Sequence, residues 1–336
     1  MKKLSPKIHP EYILGGYPEA MSTFWKRLRI YLRRTRPALV GKLALAVLLL
    51  APFWLPALLL SLRKTARWKQ PAKCRELLRR YRRAFPLIDP RSVRVQMVPG
   101  GVSNAGFVWR CKTLAGQETS YFVKVFLPVG TLWAKILPIL SPFPKIEAVS
   151  VQQRMAADLF ARMQLEKHGV AVPACVAVDP AEGVAVGEYL KGRMVSDLLA
   201  DVRRAGRLAA DDRYLLWECG NGLRQIHQAG FSLIDAQPAN CMWVPDRQKV
   251  YFLDMEYSTR RDERDWDLRL FLAFVRAQLT GPLQEEVRRA ILQGYWGRRY
   301  LLEAPPAEDP RALDDFRGVF QTILDLRRLT PEQMFG

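Results

Sequence analysis

The spacing of apolar residues changes character three times along the chain. Residues 43–62, LALAVLLLAPFWLPALLLSL, carry no charge, and the run is roughly as long as a helix needs to cross a bilayer. Just upstream, STFWKRLRIYLRR puts Phe24, Leu28, Tyr31 and Leu32 at i, i+4, i+7 and i+8, with Lys26, Arg27, Arg29, Arg33 and Arg34 between them. That pattern fits a helix lying in the headgroup layer, or a surface helix packed on its own domain. The period then drops to two: Val93–Val98, Gly106–Thr113 and Ser120–Phe126 predict antiparallel strands, the first two joined by PGGVSNAG. Beyond residue 150 it is helical again. VQQRMAADLFARMQLEKHGVAVP predicts a helix closed at Gly169 and a strand after Pro173, and VGEYLKGRMVSDLL predicts an extended linker entering a helix. YLLWECGNGLRQIHQAGF predicts a longer helix with Leu215, Leu216, Cys219, Leu223 and Ile226 on one side and His227, a packing histidine, ending the stripe. Strands followed by helices predict an α+β fold.

The apolar run starts too far from the amino terminus, and is too long, for the core of a signal peptide. Both its flanks are basic: Arg33, Arg34, Arg36 and Lys42 before it, Arg63, Lys64, Arg67 and Lys69 after it. Positive flanks stay cytoplasmic, and Pro52 and Pro56 can break a helix mid-run. A re-entrant hairpin satisfies both facts, with a kinked transmembrane span as the alternative. The basic helix in QPAKCRELLRRYRRAFPLIDP ends at a proline, which sets a domain boundary near residue 88.

Charge sharpens this division. Residues 1–83 hold 20 Lys+Arg against 3 Asp+Glu, whereas the rest holds 32 against 30. The basic character thus belongs to the segment that contains the apolar run, which points to an anionic phospholipid surface and away from nucleic acid. The five cysteines are scattered, with no C-x-x-C pair and no histidine at zinc-ligand spacing, so neither a disulfide framework nor a structural zinc site is expected.

Candidate chemistry lies in the remainder. Gly100, Gly101 and Gly106 can let backbone N–H groups approach a phosphate, or can form a plain hairpin turn. Lys124 sits between Val123 and Val125 in a strand, either on an edge in water or inside a site. Asp235, then Asn240 five residues on, then Asp254 after a hairpin-like stretch offer three oxygens in the order a phosphoryl-transfer site uses, although Asp and Asn are also ordinary turn residues.

Taken in order, these pieces resemble the superfamily of aminoglycoside phosphotransferases, choline/ethanolamine kinases and lipopolysaccharide-core kinases over roughly residues 93–290. GGVSN and LDMEYS look most like the GG-x-[ST]-N and D-F-E-Y of choline kinases. The resemblance implies a bilobal protein-kinase-like fold: a membrane-associated segment 1–88, an N-lobe 89–190 and a C-lobe 191–336. It implies ATP and Mg²⁺ as cofactors. Gly100, Gly101, Ser103 and Asn104 would cover the phosphates, Lys124 would hold them, and Asp158 would orient the lysine. Adenine would lie against Glu188, Tyr189 and Leu190. Asp235 would take the acceptor hydroxyl proton, Asn240 and Asp254 would bind Mg²⁺, and Asp267 or Asp265 would brace the catalytic loop.

Two departures accompany the match. Leu233 and Ile234 precede Asp235 where the superfamily usually has His-Gly or His-Arg, and Asp158, one methylene shorter, replaces a glutamate and would lengthen the lysine's ion pair. The expected function is a kinase acting on a hydroxyl of a lipid-linked, sugar or amino-alcohol acceptor. Its expected place is a bacterial-type inner membrane, with the catalytic domain in the cytoplasm beside its ATP. A pseudokinase scaffold that binds nucleotide at the membrane is the alternative.

Overall fold

The computed structural model describes residues 55–98, 103–131, 144, 146–148 and 150–297. The amphipathic stretch 24–34, Pro52, Gly100 and Gly101 lie outside them.

Helix α1 occupies 55–68 and α2 Pro71–Arg80. Strands β1 (Ile88–Val98), β2 (Asn104–Thr113) and β3 (Glu118–Phe126) follow, then helix α3 (Val151–Lys167), β4 (Cys175–Asp179) and β5 (Val184–Glu188). The five strands form one antiparallel sheet in the order β1-β2-β3-β5-β4. β1 begins five residues before the expected strand, at an irregularity between Asp89 and Arg94. Pro90 cannot donate to the ladder. The side chains of Asp89 and Ser92 supply the pairing instead: Arg91 N donates to Asp89 Oδ1 at 2.9 Å, and Lys112 N donates to Ser92 Oγ at 2.7 Å.

The alternation of β3 divides the sheet's two faces. Val123 and Val125 join a core with Phe107, Trp109 and Val186, closed by Trp68, Leu77, Leu78 and Phe85 from α1, α2 and the turn after them. Residues read from sequence as the end of the membrane-associated segment therefore help to build the core beneath the sheet. Trp68 stacks on Trp109 at 6.4 Å. Two hydrogen bonds tie α1 to the end of β3: Lys64 Nζ donates to Phe126 O at 2.9 Å, and Val129 N to Ser61 Oγ at 3.1 Å. The outer side of α1 shows Leu55, Leu58, Leu59, Leu60 and Leu62 at 38–60% exposure. Among the described residues no helix is long and apolar enough to cross a membrane, and residues 43–54 of the apolar run are not among them.

Lys124 and Phe126 face the other way, toward α3, where Phe126 packs on Met155 and Ala185. Past the linker come β6 (Arg193–Met194), α4 (Val195–Ala205), α5 (Ala210–Gln228), a hairpin of β7 (Cys241–Val244) and β8 (Lys249–Phe252), α6 (Arg264–Gln278) and α7 (Gly281–Trp296). A second core lies here, with Leu198, Leu199, Leu216, Leu223, Ile226, Phe252, Phe271 and Ile291. α5 and α7 meet backbone to backbone at two glycines. A β-carbon on Gly220 would lie 2.9 Å from the Ile291 carbonyl carbon, and one on Gly294 2.8 Å from that of Trp217. This packed base fixes where α5 ends, and the loop that follows α5 carries Asp235.

Candidate active site

Lys124 is the meeting point of the two halves. Its ammonium lies 2.8 Å from Asp254 Oδ1, 3.3 Å from Asp158 Oδ1 and 3.5 Å from Glu256 Oε2. Burial opposes its charge, but Asp158, Asp254 and Glu256 outweigh it and hold the ammonium above the ordinary lysine range. The sequence predicts a lengthened pair between Lys124 and Asp158; the observed contact is direct. α3 approaches β3 closely enough for the shorter acid to reach, and Glu166, the other acid on this helix, is exposed on its last turns.

Asp158 is not dedicated to the lysine. Its carboxylate also receives Arg162 Nε at 2.9 Å and Met255 N at 3.0 Å. Burial raises this acid, but Arg162, Lys124 and the Met255 amide together hold it below its ordinary value. Arg162 Nη2 donates in turn to Leu253 O at 2.5 Å, while Arg154, one turn earlier than Asp158, donates through Nη1 to Glu256 Oε1 at 3.2 Å. Positions i, i+4 and i+8 of α3 thus grip Glu256, Met255 and Leu253, so that the polar stripe of the helix is spent on the segment that carries Asp254. Sequence reasoning assigned no role to Arg154, Arg162 or Glu256; the available signal was three charged residues spaced along one face of a helix.

On the opposite side stands the loop after α5. Asp235 accepts from Gln237 Nε2 at 2.9 Å and from Asn240 Nδ2 at 3.1 Å. Asn240 ends the short 3-10 turn Pro238–Asn240, and its carbonyl receives Leu253 N at 2.9 Å, which joins the loop to the Asp254 segment. Burial, and then the charge of Asp254, push the Asp235 carboxyl up to about 7 despite the bonds from Gln237 and Asn240. Asp254 is also raised, by burial foremost, with Glu256 and Asp158 adding to it and Lys124 opposing.

The loop is held from below. Ile234 has φ 67°, a conformation a β-branched residue enters at a cost. Asp267 of α6 takes Leu233 N at 2.5 Å and Ile234 N at 2.7 Å, and Trp266 Nε1 donates to Ile234 O at 2.9 Å. Asp267, rather than the exposed Asp265, is therefore the bracing acid. His227 bridges Asp267 and the Tyr295 hydroxyl, at 3.1 and 2.6 Å, and has the packing role its stripe implied.

Glu188 closes β5, and its carboxylate is engaged by Arg247 of the β7–β8 turn and, at 3.4 Å, by Ala174 N. Leu190 is buried with Val244 and Tyr251. Ser103 and Asn104 lie at the start of β2, beside Arg154 and Glu256.

The donor set suits Mg²⁺ in the manner of nucleotide-dependent enzymes, where one or two protein oxygens suffice and the phosphates and water supply the rest. The Asn240 amide nitrogen is held by Asp235, which leaves its oxygen to offer. The Asp254 Oδ1 takes Lys124 and Glu256 N, which leaves Oδ2. Among the described residues no cluster of three or more His, Cys, Asp or Glu could hold a metal ion without such help.

No family model and no curated protein matches the chain. Among solved structures, one described as "WaaP in complex with acyl carrier protein" is similar over 63% of this chain and 82% of that chain, at 17% identity and a TM-score of 0.41.

Proposed function

We propose that the chain is an ATP-dependent phosphotransferase with a bilobal protein-kinase-like fold, held at the cytoplasmic face of a bacterial-type inner membrane and acting on a hydroxyl of a lipid-linked, sugar or amino-alcohol acceptor. The observation that carries the reading is the convergence on one point of a strand lysine, a helix acid and the Asp235–Asn240–Asp254 series. In this reading Lys124 exchanges its bond to Asp254 for the α/β-phosphates, and Asp158 and Glu256 keep it charged and aimed. Asp235 accepts the acceptor's proton, and its position near 7 suits a group that must take a proton and release it again. Asn240 and Asp254 would hold Mg²⁺, which when bound screens the phosphate charge. The linker from Glu188 to Leu190 would line the adenine site.

Membrane attachment is supported by the leucine face of α1, which continues the apolar run, and by the excess of basic residues over acidic ones in 1–83. Because α1 is bonded to the end of β3, such an attachment would hold the nucleotide lobe itself at the bilayer. Incubating the full chain with labelled ATP, Mg²⁺ and a bacterial lipid extract tests the proposal. Label should appear in the lipid fraction with the wild type and be lost with Asp254→Ala. Nucleotide binding without transfer to any lipid or sugar acceptor would point to a scaffold, and absence of MgATP binding would remove the reading.

A further inference from the structure

Glu256 is a third carboxylate beside Lys124, two residues beyond Asp254, and its position invites the role of a second metal ligand. Its surroundings argue otherwise. Oε2 receives Asn104 Nδ2 at 2.8 Å and lies 3.5 Å from Lys124 Nζ, Oε1 receives Arg154 Nη1 at 3.2 Å, and the side chain is 1% exposed. Both oxygens are committed to donors and buried. Arg154 is held through both terminal nitrogens. It is fully buried and also donates to Ser103 O at 3.3 Å and to Leu127 O at 2.5 Å. Gly130 lies directly over it, for a β-carbon there would sit 2.7 Å from Arg154 Cζ and 2.7 Å from Ser103 Cβ.

Four segments therefore close on one buried ion pair: the end of the glycine-rich turn (Ser103, Asn104), the stretch after β3 (Leu127, Gly130), the first turn of α3 (Arg154) and the Asp254 segment (Glu256). We infer that Arg154 and Glu256 are positioning residues, a latch that ties the end of the glycine-rich turn to the segment carrying Asp254. The latch fixes the distance between the cover over the phosphates and the group proposed to bind their metal. This rests on the reading of the site as a nucleotide site.

Three variants of the full chain test it. Glu256→Gln keeps an acceptor for Asn104 but leaves Arg154 buried without its counter-ion. Arg154→Met/Glu256→Met removes both charges together, which a fold tolerates better than stranding one. Gly130→Ala leaves every charge in place and pushes the guanidinium aside. In the absence of nucleotide, hydrogen exchange of the amides at 103–106 should quicken in all three. MgADP affinity should weaken roughly tenfold, the loss expected for one charged hydrogen bond. Wild-type exchange at 103–106 in the double variant and in Gly130→Ala overturns the latch. So does a shifted Mg²⁺ requirement in Glu256→Gln with unchanged exchange, which would make Glu256 a metal ligand. A wild type that binds no MgADP defeats the proposed function instead, and the exchange measurement still decides the latch.

Discussion

Two segments bring the carboxylates of the site together, and they are held in different ways. The Asp235 loop rests on α6, which grips backbone: one carboxylate, Asp267, takes two successive amides, and one indole takes the Ile234 carbonyl that follows them. The Asp254 segment hangs from α3, which grips it through a chain of charges in which every member has more than one partner. α6 belongs to the helical core, whereas α3 packs on the sheet through Met155 and on the helical core through Ala161 and Leu165. The proposed base is therefore referred to a helix of the helical core and the proposed metal ligand to a helix that spans both cores, so a shift of α3 would move Asp254 relative to Asp235.

The largest effect is expected where the clamp ends, at Asp235. Asp235→Asn should lower phosphoryl transfer by about 10³-fold, the range for loss of a general base, without unfolding the protein. The nucleotide-free variant should also be more stable at neutral pH. A carboxyl raised from its ordinary range to about 7 binds its proton more tightly folded than unfolded. Its contribution is present in full below about pH 4 and is lost as pH rises to 7. Thermal melts at pH 4 should therefore nearly coincide, and at pH 8 the variant should lead by on the order of 4 kcal/mol. A constant difference across that range would place the strain of this site elsewhere.

Removing the clamp itself comes next. Asp267→Ala leaves Leu233 N, Ile234 N and His227 without their acceptor in a buried site and should cost about 3–5 kcal/mol, read from denaturant midpoints. A loss under about 1 kcal/mol would mean that the Ile234 conformation is held by Trp266 and packing alone.

How much of this was open to a reader of the chain follows from the kind of residue involved. Lys124 stands out because a charge interrupts an apolar strand, and Asp235, Asn240 and Asp254 stand out because their order survives any error in strand boundaries. Asp267 could be narrowed only to a pair with Asp265, since both lie in the first turn of α6 and burial alone separates them. The α3 stripe was hidden by its own chemistry. Sequence patterns find buried faces by their apolar residues, and the face that α3 buries carries Arg154 and Asp158. The same stripe was misread at Asp158, where the missing methylene suggested a gap that the approach of α3 has already closed.

That correction reverses one expectation. From sequence, Asp158→Glu should keep or raise activity by restoring the usual length. In the structure Asp158 is 1% exposed, and its carboxylate already meets Lys124, Arg162 and Met255 N. A further methylene has no room and should cost about 1–3 kcal/mol of stability, with a lower kcat because Lys124 is pushed from the place where it would meet the phosphates. Unchanged kcat and Tm would show that α3 can retreat by that length.

The smallest change sharpens the contrast between the two braces. Arg162→Lys keeps the positive charge beside Asp158 but cannot also reach Leu253 O and Pro173 O, which the planar guanidinium now does at 2.5 and 3.4 Å. If the charge chain is the working part, the remaining ammonium should preserve Asp158 and Lys124, and stability should fall by only about 1 kcal/mol. Because the Leu253 carbonyl is next to Asp254, the altered residue should be felt as a raised Mg²⁺ requirement with little change in kcat at saturating metal. A fall in kcat with no change in Mg²⁺ dependence would mean that Arg162 acts on the lysine and not on the segment, and α3 would then hold Asp254 through Asp158 and Arg154 alone.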